Sequence, residues 1–232
     1  MKKRLIDFLA EHITPERNKL FDEMLLQRTS YITVVLEDIF QPQNASAVLR
    51  TCDCFGIQNV HVIENRNTFN IDTEVAMGAS KWLSINKFSA DPNNSLKAII
   101  KLKEQGYRII ATTPHKNDKL LPDFDLSKGK TALVFGSELN GISKIIQNEA
   151  DEFLKIPMSG FTESFNISVS AAIILYQLTQ NLKQLPVDIW RLTDKEKEEV
   201  KLLWLRRSVK SSDLIEKRFW AELDAYNDSE DF

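Results

Sequence analysis

The sequence lacks several features that would assign it to a class of protein at once. Its 232 residues contain no apolar run of the ~18 residues that a membrane-spanning helix needs. The N-terminal segment MKKRLIDFLAEHITPER is charged throughout and has no long apolar stretch of the signal-peptide kind. We therefore expect no membrane span and no secretion, and a cytoplasmic location. Internal repeats and low-complexity segments are absent as well.

Two common kinds of binding site are also excluded by what is missing. Cys52 and Cys54 are the only cysteines, and no histidine pair lies near them, which excludes a disulfide framework and a zinc site of the usual spacing. No G-x-G-x-x-G follows the first predicted strand, and there is no Walker A motif. A cofactor site must therefore use other loops, and we predict no metal.

An excess of basic residues is missing too. The net charge of −3 argues, by itself, against nucleic-acid binding. The distribution matters more than the sum, because basic residues cluster at 2–4 and at Arg206, Arg207 and Lys210, whereas acidic residues gather in the tail NDSEDF. Two interpretations stay open for these clusters, a basic binding face and ordinary solvated helix surfaces.

The sequence is rich in alternating strand and helix patterns. Strand-like runs bounded by turn signals occur at 31–38, 59–64, 82–88, 107–113, 131–136 and 152–157, and helical patterns lie at 44–55, 73–80, 93–105 and 142–150. The runs VVL, RIIA and ALVF are almost wholly apolar, which is typical of strands covered on both faces. We predict an α/β fold, a mostly parallel sheet with helices on both faces.

Helical patterns flank this core at both ends. Residues 2–28 favour one or two helices, and 194–208 and 211–224 favour two more, the first opening with a capping box at Thr193–Glu196. The predicted organisation is an N-terminal helical extension (1–30), an α/β domain (31–185) and a C-terminal helical extension (186–232).

Polar side chains gather after three of the predicted strands. In FQPQNASAVLRTCDCFGI (40–57), Asn44 is predicted to cap a helix whose apolar stripe starts at Ala45. Arg50 lies about 140° around that helix from Ala45 and points away from its buried face. Arg50 is then either a surface arginine or a guanidinium aimed at phosphate or ribose.

The second cluster is LVFGSELNGIS (133–143). Its glycines, Gly136 and Gly141, predict backbone held close to another group, or turns with positive φ. Glu138 between them fits either a turn before a helix or a functional site.

The third cluster, IPMSGFTESFNISVSAAIILY (156–176), crowds Glu163, Ser164 and Asn166 at the start of an apolar helix. That helix is predicted over 164–184 and expected to be buried on nearly all sides. Capping explains one or two of these polar residues but not three. All three clusters fall at carboxyl ends of strands, where open α/β sheets bind ligands.

In this order and spacing, the three segments resemble the SpoU (TrmH-type) branch of the SPOUT RNA methyltransferases. The family motifs are an Asn with an Arg six positions on (Asn44, Arg50), F-G-x-E-x-x-G (135–141) and I-P-M-x-G…S-[LF]-N-[VI]-S-V-[AS]-A-A (156–172). MGASKWL (77–83) is similar to the tRNA guanosine-18 enzymes of the family. The resemblance covers roughly 31–184.

The resemblance implies a fold and an activity that the residue patterns do not. The C-terminal part of the family is threaded into a deep trefoil knot, which forms a pocket for S-adenosylmethionine, and the family acts as homodimers with the site near the interface. The implied reaction is methylation of a ribose 2′-hydroxyl in tRNA, at guanosine 18.

Residue roles follow from the same resemblance. The implied catalytic residues are Arg50, Asn44, Glu138, Ser164 and Asn166; the implied cofactor residues are Thr112, Gly136, Ile156 and Phe165. Asn44 would orient Arg50, and Glu138 would organise the loops of the second and third motifs. RNA docking would fall to Arg206, Arg207 and Lys210. The chain departs from the family at FQPQ (40–43), often H-K-P-H, and at Phe165, often Leu.

Other interpretations stay open at this point. One is the same chemistry on ribosomal RNA or on another position of tRNA. A second is a non-catalytic RNA-binding relative, and a third is a different α/β enzyme with accidental motif matches. Failure to bind S-adenosylmethionine would favour either of the last two.

Overall fold

The computed structural model describes residues 1–113 and 119–230, with side chains as far as Leu223. These residues form two compact units. The helical unit combines Met1–Arg28 with the described residues from Leu192 onward, and the sheet unit is Thr29–Arg191. The two terminal segments predicted as separate extensions thus belong to one unit. None of the helices in the described ranges is both long and apolar enough to cross a membrane.

A parallel sheet of seven described strands forms the centre of the sheet unit. The strands are β1 (Ile32–Glu37), β2 (Asn59–Ile63), β3 (Ser84–Phe88), β4 (Arg108–Thr112), β5 (Lys119–Leu120), β6 (Thr131–Phe135) and β7 (Glu152–Lys155). They are ordered β3-β2-β1-β6-β4-β7-β5, and every neighbouring pair is parallel. The predicted α/β fold is confirmed. The short strand β5 was missed because two exposed residues show no strand periodicity. The trefoil knot stays a prediction.

Helices connect the strands and make up the helical unit. They are α1 (Lys2–Ala10), α2 (Pro15–Leu25), α3 (Pro42–Cys54), α4 (Thr73–Ala76), α5 (Asn94–Glu104), α6 (Lys144–Glu149), α7 (Ile167–Leu182), α8 (Val187–Trp190), α9 (Asp194–Ser208) and α10 (Ser212–Glu230). The predicted capping box of α9 is confirmed, since the Thr193 hydroxyl accepts from the N–H of Glu196 and the Glu196 carboxylate accepts from the N–H of Thr193.

Both faces of the sheet are covered, because its central strands send apolar side chains to either side. Val34 and Leu36 belong to one core with α3 and α7, whereas Val35 belongs to a second core with α5 and α6. Strands β1 and β6 are buried along their whole length. This is the two-sided burial that the runs VVL and ALVF predict.

Within one chain, the prediction that the third-motif helix is buried on nearly all sides is wrong. Helix α7 starts at Ile167 rather than at residue 164. Ala171 and Leu175 are fully buried, but Val169 and Tyr176 keep 43% and 58% of their surface exposed. A helix that is apolar all round does not reveal which side it packs with. Its position against the sheet and α3 decides that.

A buried histidine makes the stability of the sheet unit dependent on pH. His61 on β2 lies 6.2 Å from the ring of Phe88, and burial, aided by the charge of Lys101, lowers its pKa to about 4. Protonation is then easier in the unfolded chain. The free energy of unfolding should therefore fall as the pH drops from about 6.5 towards 4, by about 3 kcal/mol from this residue.

Urea unfolding at pH 7 and at pH 4.5 measures this effect, with His61→Leu as the comparison. Protonation of carboxylates lowers the free energy of unfolding of both proteins at acid pH. The difference in pH dependence between the wild type and His61→Leu is therefore due to His61. Identical pH dependence in the two proteins would refute the assignment.

Candidate active site

A cavity of about 600 Å³ opens at the carboxyl ends of β4, β6 and β7. Each polar cluster of the sequence contributes to its wall. The first supplies Gln41 and Asn44, the second the loop after β6, and the third the loop between β7 and α7. The expectation that the three clusters meet at one edge of the sheet is met, because parallel strands end on the same side.

A chain of side-chain hydrogen bonds joins the three clusters on this wall. Asn44 Nδ2 donates to Glu138 Oε1 at 2.8 Å, and Asn166 Nδ2 donates to Asn44 Oδ1 at 3.0 Å. Asn166 Oδ1 in turn accepts the N–H of Ser168 at 2.8 Å, which caps α7. One residue from each motif thus takes part in a single network.

The direction of every bond in this network is set from its two ends. The carboxylate of Glu138 only accepts, so Asn44 must present its NH₂ group there and has its oxygen left for Asn166. The free N–H groups at the start of α7 only donate, so Asn166 must present its oxygen to Ser168 and its NH₂ group to Asn44. Asparagine suits both positions because it carries a donor and an acceptor side by side.

The capping role predicted for Asn44 needs correction, whereas its role in orienting Arg50 stays a prediction. Asn44 is not the cap of α3, because that helix begins at Pro42 with Gln41 at the N-cap. Proline suits the first turn of a helix, where its missing N–H costs nothing. Nor do the described contacts include a hydrogen bond from Asn44 to Arg50; the Asn44 amide bonds to Gln41, Glu138 and Asn166.

The role predicted for Glu138, organising the loops of the second and third motifs, stays a prediction. Glu138 contacts the first motif rather than the third, through Asn44 and through the N–H of Phe40, 3.4 Å from Oε2. Among the hydrogen bonds of the described residues, the link from Glu138 to the third motif runs through Asn44. Glu138 therefore fixes the second-motif loop against the start of α3.

The second-motif loop depends on its two glycines in different ways. The backbones of Ser137 and Gly141 exchange hydrogen bonds of 3.0 and 2.9 Å across a tight turn. A side chain on Gly136 would overlap the backbone of Gly141 and Ile142. Gly141 has φ of 64°, a conformation that favours glycine. Both predicted explanations therefore apply, close approach of backbone at Gly136 and positive φ at Gly141.

The residues assigned to the cofactor all line the cavity, with Thr112, Gly136, Ile156 and Phe165 among its walls. The Thr112 hydroxyl donates to the carbonyl of Val134 at 2.9 Å, so the sheet holds its rotamer. Ser164 also lines the cavity, and its hydroxyl makes no hydrogen bond to any described residue. A free hydroxyl on a cavity wall is available to a ligand.

Arg50 does not line this cavity. It is exposed on α3, and the described part of the chain gives its guanidinium neither a hydrogen bond nor an ion pair. The prediction that it points off the buried face is confirmed. Its charge therefore has no partner inside the described chain.

Sequence reasoning missed two charged residues near the site. Lys155 lines the cavity at the end of β7. Glu37, the last residue of β1, is 2% exposed and accepts hydrogen bonds from Ser95 and Ser143. An acidic residue that ends an apolar strand, as in VVLE, was the signal that would have identified Glu37.

The residues predicted to bind RNA lie in the helical unit and differ in their surroundings. Arg206 forms two hydrogen bonds to Glu216, of 2.6 and 2.9 Å, which raise its pKa. Burial lowers the pKa of Arg207. Lys210 is exposed and has no acidic partner among the described residues. The structure thus leaves Lys210 more available to an anion than Arg206.

The network predicts that one substitution destabilises the protein and that a second substitution compensates for it. Asn44→Asp places a second carboxylate against Glu138 and is expected to lower the free energy of unfolding by about 1–3 kcal/mol. Adding Glu138→Gln should recover most of the loss, because the new amide donates to the new carboxylate. Chemical unfolding of the single and double variants measures both effects. A double variant no more stable than Asn44→Asp would contradict the proposed polarity.

Comparisons with known proteins bear on this site. The profile described as "SpoU rRNA Methylase family" matches residues 31–176. The chain is 40% identical over 211 residues to a protein of Borreliella burgdorferi named tRNA (guanosine(18)-2′-O)-methyltransferase, covering 91% of this chain and 94% of that protein.

Two solved structures are similar as well. The TrmH/SpoU tRNA modifying enzyme of Aquifex aeolicus superposes with a TM-score of 0.74 at 28% identity, over 84% of this chain and 98% of that one. The SpoU methyltransferase AviRb of Streptomyces viridochromogenes, solved in complex with the cofactor AdoMet, has a TM-score of 0.57 at 21% identity, over 68% and 60%. At 21% identity, the similarity to AviRb concerns the fold alone.

Proposed function

Because this chain belongs to the SpoU rRNA Methylase family, we propose that it transfers a methyl group from S-adenosylmethionine to the ribose 2′-hydroxyl of guanosine 18 in tRNA. The observation that carries the proposal is the network of Asn44, Glu138 and Asn166, which joins the three motifs on the wall of one cavity. The name of the relative from Borreliella supports tRNA as the substrate.

The volume of the cavity suits a small-molecule cofactor such as S-adenosylmethionine. Its volume of about 600 Å³ lies within the range of about 300–1,000 Å³ for small-molecule sites. When bound, S-adenosylmethionine supplies an electrophilic methyl group on a sulfonium centre. Gly136 lets two backbone segments approach closely at the wall, and Ile156 and Phe165 offer apolar surface for an adenine ring.

The residues of the chain would then have different roles in methyl transfer. The wall network holds the motif loops so that a hydroxyl can be aligned with the methyl group, and alignment supplies much of the rate. The free hydroxyl of Ser164 is placed to hydrogen-bond a ligand in the cavity. Arginine stays protonated in proteins. Arg50 therefore fits a cation that lowers the pKa of the ribose hydroxyl and holds a phosphate better than it fits a base.

We also propose that the chain acts as a homodimer. Val169 and Tyr176 expose an apolar side of α7, and the ring of Phe55 on the neighbouring segment lies 6.2 Å from that of Tyr176. An exposed apolar surface of this kind is a candidate interaction site. The family resemblance implies a second copy as the occupant, and analytical ultracentrifugation with Tyr176→Glu would test it. With tRNA as the substrate, we assign the activity to the cytoplasm.

Transfer of labelled methyl groups tests the function directly. The protein is incubated with labelled S-adenosylmethionine and either unmodified tRNA or ribosomal RNA, and the modified nucleotide is mapped. A single 2′-O-methylguanosine at position 18 is the expected result. Methylation of ribosomal RNA, or of another tRNA nucleotide, would retain the chemistry and overturn the substrate. Absence of cofactor binding would overturn the chemistry itself.

We propose that RNA docks on basic side chains of the helical unit, with Lys210 contributing more than Arg206. Lys210→Ala should weaken tRNA binding and reduce the slope of log affinity against log salt by about 0.7–1. Lys197→Ala is the control, because Lys197 already pairs with Asp194 at 3.0 Å. Filter binding across a salt series measures both. A slope unchanged by Lys210→Ala would rule out this contact.

A further inference from the structure

Glu37 occupies an unusual position for an acidic side chain. It is the last residue of β1, in the middle of the sheet, and is 2% exposed. Its carboxyl group accepts three hydrogen bonds, from Ser95 Oγ at 2.5 Å, from Ser143 N at 2.8 Å and from Ser143 Oγ at 2.7 Å. A buried acidic group is retained only where such partners offset its desolvation.

The two serines connect Glu37 to different parts of the sheet unit. Ser95 lies in the first turn of α5, whose apolar residues pack in the second core. Its hydroxyl also accepts from Asn65 Nδ2 at 2.9 Å. Ser143 is the N-cap of α6, and its hydroxyl also accepts the N–H of Ile146. The residue before Ser143 is Ile142, which closes the second-motif loop and lines the cavity.

The second-motif loop is therefore held by two carboxyl groups. Glu138 inside the loop bonds to Asn44, and Glu37 outside the loop bonds to Ser143, directly after it. Between these anchors, Gly141 contributes little stiffness of its own, because glycine restricts the backbone least. The position of this cavity wall thus depends on both carboxyl groups.

We propose that Glu37 is a positioning residue for cofactor binding, which acts by fixing Ser143 and through it the loop 136–142. This inference rests on the proposed function, since it takes S-adenosylmethionine as the ligand of the cavity. Glu37 itself does not line the cavity. It should therefore affect the affinity for the cofactor rather than the rate of methyl transfer at saturation.

The two serines provide a matched pair of variants. Ser143→Ala removes the hydroxyl hydrogen bond between the cavity loop and Glu37 and leaves the one from the Ser143 N–H. It should weaken binding of S-adenosylmethionine about tenfold, because binding must then also order the loop. Ser95→Ala removes a hydrogen bond to the same carboxyl group but on the α5 side. It should change the affinity by less than about twofold while lowering the melting temperature similarly.

Substitutions at Glu37 separate its role from the capping role of Ser143. Glu37→Leu removes both hydrogen bonds from Ser143 and should weaken cofactor binding at least as much as Ser143→Ala. The double variant should bind the cofactor no more weakly than Glu37→Leu alone, because the hydroxyl bond is already lost there. Glu37→Gln keeps an acceptor for the Ser143 N–H and should stay close to the wild type. With saturating cofactor, the turnover of Ser143→Ala should approach that of the wild type.

Two readouts keep this inference distinct from the proposed function. Equilibrium dialysis with labelled S-adenosylmethionine gives the affinities, and hydrogen exchange of the amides at 137–142 reports the loop without any ligand. Faster exchange in Ser143→Ala and Glu37→Leu, but not in Ser95→Ala, is expected. Equal effects of both serine variants on affinity and exchange, or additive effects in the double variant, would overturn the role of Glu37. If the wild type binds no cofactor, the proposed function and the role of Glu37 in cofactor binding both fail. The exchange data then still decide whether Glu37 fixes the loop 136–142.

Discussion

Arg50→Ala is expected to lower the rate of methyl transfer by about 10²- to 10³-fold or more, the effect of removing one group that stabilises charge in the transition state. The affinity for S-adenosylmethionine should stay nearly unchanged, because Arg50 does not line the cavity. Its guanidinium is exposed and has no acidic partner in the described chain, so its charge is free to act on the RNA. Single-turnover methylation and equilibrium dialysis measure the two quantities.

Arg66→Ala is the matched control for this experiment. Arg66 is also an exposed arginine of the sheet unit, following β2 rather than lying on α3. At saturating tRNA, its removal should change the rate by less than about twofold if only the general charge is lost. Arg50→Lys should restore little activity, because a lysine cannot donate two parallel hydrogen bonds to phosphate. Loss of cofactor affinity in Arg50→Ala would refute this division of roles.

Gly136→Ala should weaken binding of S-adenosylmethionine by about tenfold to a hundredfold, equivalent to the 1–3 kcal/mol of an overpacked site. The added methyl group would overlap the backbone of Gly141 and Ile142, and backbone cannot rotate away as a side chain does. The hydrogen bonds between Ser137 and Gly141 would then have to lengthen or break. The cavity wall would move with them.

Gly160→Ala is the control from the third-motif loop. A methyl group there meets nothing nearer than the Thr162 nitrogen at 3.9 Å, which is ordinary contact. Its affinity for the cofactor should stay within about threefold of the wild type, because the added methyl group displaces no neighbouring atom. If both variants bound the cofactor equally well, close approach at Gly136 would not be what shapes the cavity.

The elements of the sheet unit were predictable because they depend on local pattern. Apolar runs such as those of β1 and β6 require burial on both faces, whatever follows them in the chain. The start of α7 was placed three residues early. Glu163 and Ser164 resemble capping residues, and only Asn166 has the helix N–H groups in reach. Local composition does not distinguish a cap from polar residues that line a cavity.

The amino-acid sequence by itself determined a parallel α/β sheet with three polar clusters at one edge. Apolar runs predict the buried strands, and the alternation of strands with helices predicts that these strands are parallel. Only the tertiary structure decided how those clusters pair. Asn44 meets Glu138 across 94 residues and Asn166 across 122, and Glu37 meets Ser143 across 106. A hydrogen bond requires heavy atoms within about 3 Å in a fixed direction. Distances of that kind follow from the packed fold and not from spacing along the chain.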